Sequence, residues 1–287
     1  MATSFKTMAE LDPEIVLVVD SLNLAFRWKH KGQFDFLEDY IRTIESLRKS
    51  YKAGKVIIAC DSGASSYRKS IFPGYKQGRK EKQLLATPEE QAEFELFFQG
   101  YLDVIESYKE STHYPVFKFD KTEADDIGAY IVKFRSKYKV KKIVLASSDK
   151  DWDLLVNDDV MRFSYVTRKE TRIDNWNEHY DYAVDEHISI KCLTGDSGDS
   201  IPGVPDVGEK RAIGLVKTYG TAYDIAANLP IASKYKYMAN LNTFGADNLL
   251  LNYRLMDLME FCDEALGPIN CEVMDEILRK YLNGSSN

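Results

Sequence analysis

Cysteine is scarce in this chain of 287 residues: Cys60, Cys192, Cys262 and Cys271 are the only four, and none forms a CxxC pair. That spacing fits a reducing interior, and the four are read as packing residues. Histidine is equally sparse, at four residues, so no His/Cys set competes for zinc. No apolar run approaches the roughly 20 residues that a membrane-spanning helix needs. The opening segment, MATSFKTMAELDPE, has neither the apolar core nor the cleavage site of a signal peptide. Internal repeats and low-complexity segments are absent, and only the tail NGSSN reads as frayed. Net positive charge is missing as well, with 38 Lys and Arg against 45 Asp and Glu, or −7. Distribution matters more than that sum for any polyanionic partner.

What is present is globular in composition and long enough for a full core. Three apolar runs, EIVLVVD, KVIIACD and KKIVLASSD, end at Asp20, Asp61 and Asp149. Amphipathic stretches separate them, such as residues 34–51 with Phe34, Leu37, Ile41, Ile44 and Leu47 three or four apart. Continuous apolar strands alternating with helices predict a largely parallel sheet flanked by helices, an α/β fold. Ligands of such sheets sit beyond the carboxyl ends of the strands. Three aspartates therefore converge on one place. PVFKFD reads as a further short strand and VMRFSYVTRKETRI as a hairpin. Thr87-Pro88-Glu89-Glu90 starts a helix whose stripe is Phe94, Phe97, Phe98, Tyr101, Leu102 and Ile105.

More acids join the three. Glu123, Asp125 and Asp126 stand at a helix start, and Asp196 and Asp199 are three apart in GDSGD. Any one alone is explained by capping or strand termination. Together they would repel strongly unless cations neutralised them. All-oxygen donors suit Mg²⁺ or Mn²⁺. Two such ions about 3.5–4 Å apart can activate water and clamp a scissile phosphate. In SSDKDWD an extended backbone would send Asp149, Asp151 and Asp153 the same way, whereas a helix start would turn Asp153 aside. Asp149 and Asp151 are read as ligands, Asp153 as a cap or outer support, and Trp152 as packing beneath the site.

Basic groups are local. From Arg68 to Lys82 six cations face only Glu81, a run that taken alone would be a solvated loop. Tyr75 followed by Lys76, Arg79 and Lys80 adds a stacking face to phosphate-binding cations, which suits single-stranded nucleic acid. GDSIPGVPDVGEKRAIGL predicts a helix, a turn bounded by Gly203 and Gly208, and a second helix from near Glu209. Its N–H groups and helix N-terminus, with Lys210 and Arg211, suit a phosphate and read backbone rather than bases.

VVDSLNLAFR, CDSGASSYRKSIFPGYKQGR, TEADDIGAYI, SSDKDWDLL and GDSGDSIPGVPDVGEKR occur in the order of the 5′ nuclease superfamily. From about residue 15 to 220, and on to the end, the chain resembles the stand-alone flap endonucleases of tailed bacteriophages. Similar domains stand at the front of bacterial DNA polymerase I. The resemblance implies a PIN-like fold with a helical arch (about 65–110) and a helix–three-turn–helix element (about 186–220). It implies an acidic α/β region at 1–184 and a mainly helical region at 185–287, forming one compact unit. The implied activity is 5′ flap endonuclease and 5′-3′ exonuclease hydrolysis of DNA near single-strand/duplex junctions, leaving 5′-phosphate and 3′-hydroxyl. Two or more Mg²⁺ per site are implied, with Mn²⁺ able to substitute and K⁺ at the turn.

Carried over residue by residue, the family's acids are Asp20, Asp61, Glu123, Asp125, Asp126, Asp149, Asp151, Asp196 and Asp199. Asp20, Asp61, Asp149, Asp151 and Lys76 take the catalytic roles, with Lys76 stabilising charge on the reacting phosphate beside Tyr75. Branched or 5′-ended DNA, replication proteins, a monomeric state and the cytoplasm of an infected bacterial cell are implied with it; no membrane is. A PIN-type ribonuclease shares the acidic sheet end but not the basic segment or the turn behind GDSGD. A phosphoacceptor of the response-regulator kind needs about three acids and leaves Asp196, Asp199 and Lys76 unused. A silent junction-binding protein would be expected to have lost acids. Two positions depart from the family's pattern. Ser21, where glycine is usual, adds a side chain beside the site. Asp206, also a glycine position, puts a carboxylate near the bound phosphate, which should weaken duplex contact, although Asp tolerates the left-handed backbone.

Overall fold

The apolar runs become strands of one six-stranded sheet. The structure, a computed structural model, describes residues 10–284, so all but the first two residues of the NGSSN tail lie outside it. β1 (Asp12–Asp20), β2 (Ala53–Cys60), β3 (Val116–Lys118), β4 (Lys142–Ala146) and β5 (Val160–Ser164) are parallel. β6 (Lys169–Thr171) returns antiparallel to β5, forming the hairpin that the alternation predicts. The spatial order is β3-β2-β1-β4-β5-β6. The chain thus runs outward from β1 on one side and then crosses to β4 on the other. That reversal, beside the carboxyl ends of β1 and β4, is where an open α/β sheet forms its crevice.

Among the described residues twelve α-helices surround the sheet and extend from it. They are α1 (Ser21–Lys29), α2 (Leu37–Ser50), α3 (Ser66–Ile71), α4 (Gln77–Leu85), α5 (Pro88–Ser111) and α6 (Ala124–Lys133). The second half has α7 (His187–Thr194), α8 (Glu209–Tyr219), α9 (Ala222–Asn228), α10 (Lys236–Met256), α11 (Leu258–Leu266) and α12 (Pro268–Asn283). Strand alternation divides the core by faces. Val16, Val18, Ile57, Ile143 and Leu145 pack under α6, α11 and α12. Leu17, Val19, Ile58 and Val144 pack under α1, α2 and α5. A third core lies among α7 to α10. The chain beyond residue 185 therefore serves two cores, because Cys262, Met274 and Leu278 return to the sheet. The cysteines are buried apart from the half-buried Cys271, and all are free thiols. Among the described residues no helix is long and apolar enough to cross a membrane.

α5 begins as its sequence predicts. The Thr87 hydroxyl accepts from the Glu90 amide at 3.2 Å, the Glu90 carboxylate accepts from the Thr87 amide at 2.8 Å, and Pro88 occupies the first turn. Its Phe97, Tyr101 and Ile105 enter the core, while the turns before Phe97 are exposed. α4 buries no residue at all. The two therefore form a helical hairpin held at its base, the predicted arch.

Candidate active site

Four carboxylates line one cavity beyond the strand ends. Asp20 closes β1 and caps α1, accepting from the Asn23 amide at 3.3 Å and the Ser147 hydroxyl at 2.6 Å. Asp61 follows β2 and accepts from the Ala124 amide at 3.0 Å, which ties it to the start of α6. Asp149 follows β4 and caps a 3₁₀ turn over Lys150–Leu155, accepting from the Asp151 amide at 2.9 Å. Asp125, in the first turn of α6, accepts from the Trp152 indole N–H at 2.6 Å. Trp152 lies fully buried under the site against Gly128, where a Cβ would come within 2.9 Å of the ring. The expected packing role for Trp152 holds, and glycine there is what lets α6 lie on it.

Burial comes first in raising all four pKa values from their ordinary value, most strongly for Asp20 and Asp125, and the neighbouring acids add to it. Asp61 and Asp149 push Asp20 up; Asp149, Asp61 and Asp20 push Asp125 up; Asp151 acts on Asp149 and Glu123 on Asp61. A cavity of about 460 Å³ is lined by all the predicted acids except Asp126 and Asp196, together with Lys76, Arg79 and Lys80. Among the described residues no three His, Cys, Asp or Glu side chains stand close enough together to hold an ion as they are. They ring the wall, as mutually repelling charges do. Hard oxygen donors whose ionised forms are held back only by burial and one another are what Mg²⁺ or Mn²⁺ would complement.

A second set of acids is answered by cations. Glu123 accepts from the Tyr75 hydroxyl and Lys76 ammonium, each at 2.7 Å, and faces Arg68 at 3.4 Å. Burial works to raise its pKa, but Lys76 and Arg68 outweigh it and hold the group below the usual value. Asp199 accepts from Arg79 at 2.5 Å and Tyr75 at 3.0 Å. Lys191 spans Asp151 at 2.5 Å and Asp196 at 3.4 Å, its own pKa raised by both against the effect of burial. Lys191 was not singled out from sequence; the available signal was a lysine on the helix running into GDSGD. Arg68 was counted only as one charge in a basic run.

Three expectations are corrected. Asp126 is fully buried with both oxygens on the Arg68 guanidinium at 2.8 Å, because one helical residue turns it about 100° away from Asp125. It stands outside the cavity. Tyr75 offers no stacking face to DNA: it is 2% exposed, its ring in the helical core and its hydroxyl bracing Glu123 and Asp199. The Ser21 side chain points away from the acids into the opposite core, meeting the hydroxyls of Tyr101 at 2.9 Å and Tyr40 at 3.1 Å. Asp153 does turn aside, as a helix start requires. It is buried and paired with Arg162 at 2.5 and 2.8 Å.

Away from the acids, the turn between α7 and α8 has the predicted form. A Cβ on Gly203 would lie 2.1 Å from the Thr194 carbonyl oxygen, so only glycine allows this closure. Gly208 is the N-cap of α8, whose first turn carries the exposed Lys210 and Arg211. Asp206 adopts the left-handed backbone at φ +62°.

The family described as 5′-3′ exonuclease, N-terminal resolvase-like domain, matches residues 15–183. That described as 5′-3′ exonuclease, C-terminal SAM fold, matches residues 183–275. The flap endonuclease of Escherichia phage T5 is 38% identical over 93% of this chain and 91% of its own length. Bacillus subtilis DNA polymerase I is 31% identical over 72% of this chain but only 22% of its own length. The T5 5′-exonuclease with divalent zinc bound superposes with a TM-score of 0.87 at 38% identity, covering 94% of this chain and 98% of that one. A T5 flap endonuclease complex with DNA and metal ions gives 0.86 at 37% identity and the same coverage. The chain belongs to the 5′-3′ exonuclease family and is a nuclease.

Proposed function

We propose that this chain hydrolyses phosphodiesters of branched or 5′-ended DNA near single-strand/duplex junctions, as a flap endonuclease and 5′-3′ exonuclease leaving 5′-phosphate and 3′-hydroxyl. The observation that carries the reading is the cation-poor carboxylate floor at the ends of β1, β2 and β4, faced by Lys76 and by Arg79 and Lys80 of α4. Asp20, Asp61, Asp125 and Asp149, with Glu123, Asp151, Asp196 and Asp199, would hold Mg²⁺, for which Mn²⁺ can substitute. When bound, two such ions supply acidity to the attacking water and positive charge to the scissile phosphate and leaving oxygen.

The chain's own groups do the rest. Lys76 takes the left-handed backbone at φ +55° and caps α4, which aims its ammonium into the cavity. There it can leave Glu123 for the reacting phosphate and stabilise the charge that develops on it. Tyr75 holds Glu123 and Asp199 in place from below. Arg79 and Lys80 take phosphates of the single strand under the hairpin. Gly203 and Gly208 shape the turn, and Lys210 and Arg211 with the N-terminus of α8 grip the duplex backbone. K⁺ at that turn, replication proteins as recruiting partners, a monomeric state and the cytoplasm of an infected host cell complete the reading by resemblance.

The test uses a 5′-labelled flap, a matched blunt duplex and a single strand, each in Mg²⁺, Ca²⁺ and EDTA. Cleavage near the flap junction in Mg²⁺, with Ca²⁺ allowing binding but no turnover, is expected. Binding without cleavage in Mg²⁺ or Mn²⁺ would leave a silent junction binder. Affinity should also fall steeply with salt through counterion release.

A further inference from the structure

The left-handed aspartate in the α7–α8 turn has a partner from another helix. The Asp206 carboxylate accepts from the Lys236 ammonium at 2.9 Å and from the Asn240 side-chain amide at 3.1 Å, both on α10. Its backbone carbonyl accepts from Arg211, whose guanidinium also lies 5.0 Å from the centre of the Tyr237 ring. The carboxylate is thus held by an ammonium and an amide donor, two groups that bind a phosphate oxygen elsewhere, and it stands two residues before the N-cap of α8. Asp181 and Glu209 line the same open cavity, yet of these three acids only Asp206 forms an ion pair among the described residues. We propose that Asp206 is an internal stand-in for a DNA phosphate: it occupies Lys236 in the free protein and must give it up when the duplex binds.

This rests on the turn being a duplex contact, as proposed above. The exchange has a definite sign. Before binding, Lys236 is neutralised from within and releases fewer counterions than its charge allows. On binding, the freed carboxylate remains beside the phosphate. Both effects lower affinity and flatten its salt dependence. The side chain is thereby a brake on non-productive duplex binding, placed where a glycine would fit the backbone equally well.

The experiment is fluorescence anisotropy with a labelled 5′-overhang duplex in Ca²⁺, titrated across NaCl concentrations. Asp206→Asn keeps the amide contact and tolerates the backbone; Asp206→Gly removes the side chain and suits positive φ. Both should bind about fivefold tighter, the size of one opposite charge removed at a few Å in water. The slope of log affinity against log salt should steepen by about 0.9. In a Lys236→Ala background the Asp206→Asn gain should largely vanish. Unchanged or weaker binding by both single variants overturns the exchange. A parallel Lys210→Ala arm separates the failures: if it leaves affinity and slope unchanged, the turn does not hold DNA and the underlying reading falls. If it weakens binding while the Asp206 variants stay inert, only the exchange falls.

Discussion

Asp125 and Asp126 are adjacent, and Asp151 and Asp153 are one residue removed, yet each pair divides the same way. Asp126 and Asp153 are buried and gripped through both oxygens by Arg68 and Arg162. Asp125 faces Asp149, Asp61 and Asp20 with only an indole N–H donating to it. Asp151 lines the cavity with Lys191 as its partner. These two acids are each held through both oxygens by a buried guanidinium that cannot leave. Asp125 and Asp151 have partners that can be exchanged. Which of the four is structural is thus decided by which carboxylate a buried guanidinium takes through both oxygens; Asp199, bound through one oxygen to the exposed Arg79, stays exchangeable. A planar, permanently charged fork satisfies a carboxylate completely and leaves nothing for a metal or a phosphate.

Neutralising one acid from the cation-poor set should produce the largest effect. Asp149→Asn removes an anionic donor and part of the repulsion that spreads the site. Metal ions contribute several kcal/mol to such reactions, so single-turnover cleavage in Mg²⁺ should fall about 10⁴-fold. DNA binding should be nearly unchanged. Thermal unfolding in EDTA should show Asp149→Asn at least as stable as the parent chain. A clear destabilisation would mean that Asp149 belongs with the structural acids after all.

The opposite experiment breaks an arginine-bound pair. Arg162→Ala strands Asp153, which is 1% exposed, and should cost about 3–5 kcal/mol in chemical denaturation. Arg162→Leu with Asp153→Leu should recover much of that loss, since two apolar groups can replace a buried pair at little cost. If the single variant loses less than about 1 kcal/mol, the pair is not the anchor described here.

Lys76 sits between the two behaviours, being nearly buried yet exchangeable. Lys76→Ala should slow the chemical step about 10²–10³-fold, the usual effect of deleting one donor to developing charge. Unchanged single-turnover rates would mean that Lys76 only tethers Glu123. Lys76→Arg preserves charge but not shape, and should recover part of the rate.

Much of this division was not legible in the sequence, for a physical reason. Strand ends and helix starts depend on local patterns, so EIVLVVD, KVIIACD, KKIVLASSD and Thr87-Pro88-Glu89-Glu90 placed the acids and the hairpin correctly. The partner of a carboxylate depends on long-range packing. Arg68 is 58 residues from Asp126, and Lys191 is 40 from Asp151. Tyr75 misled because it stands between cations in sequence, while the turn at Lys76 puts the tyrosine beneath the site and the lysine in the cavity. Asp206 was placed correctly in its left-handed turn, but its lysine, 30 residues on in a helix without a distinctive motif, was not foreseen.

The smallest effect concerns a group that takes no part in the chemistry. His187 opens α7, accepts or donates at 2.9 Å to the Tyr182 hydroxyl through Nδ1, and has a buried Nε2 without a partner. Burial, then Lys191, pushes its pKa down to about 4 from 6.5. The fold therefore prefers neutral imidazole, and its contribution to stability is complete above pH 6.5. It is lost progressively as pH falls from 6.5 toward 4, by at most about 1.4 kcal/mol per pH unit. The acids also titrate toward the lower end of that window, so the informative quantity is the difference between the parent chain and His187→Phe. That difference should change between pH 6.5 and 5, where ordinary carboxylates are largely ionised. Parallel stability curves there would show that α7 yields locally to admit the proton, which would make the helix carrying Lys191 softer than the sheet carrying Asp149.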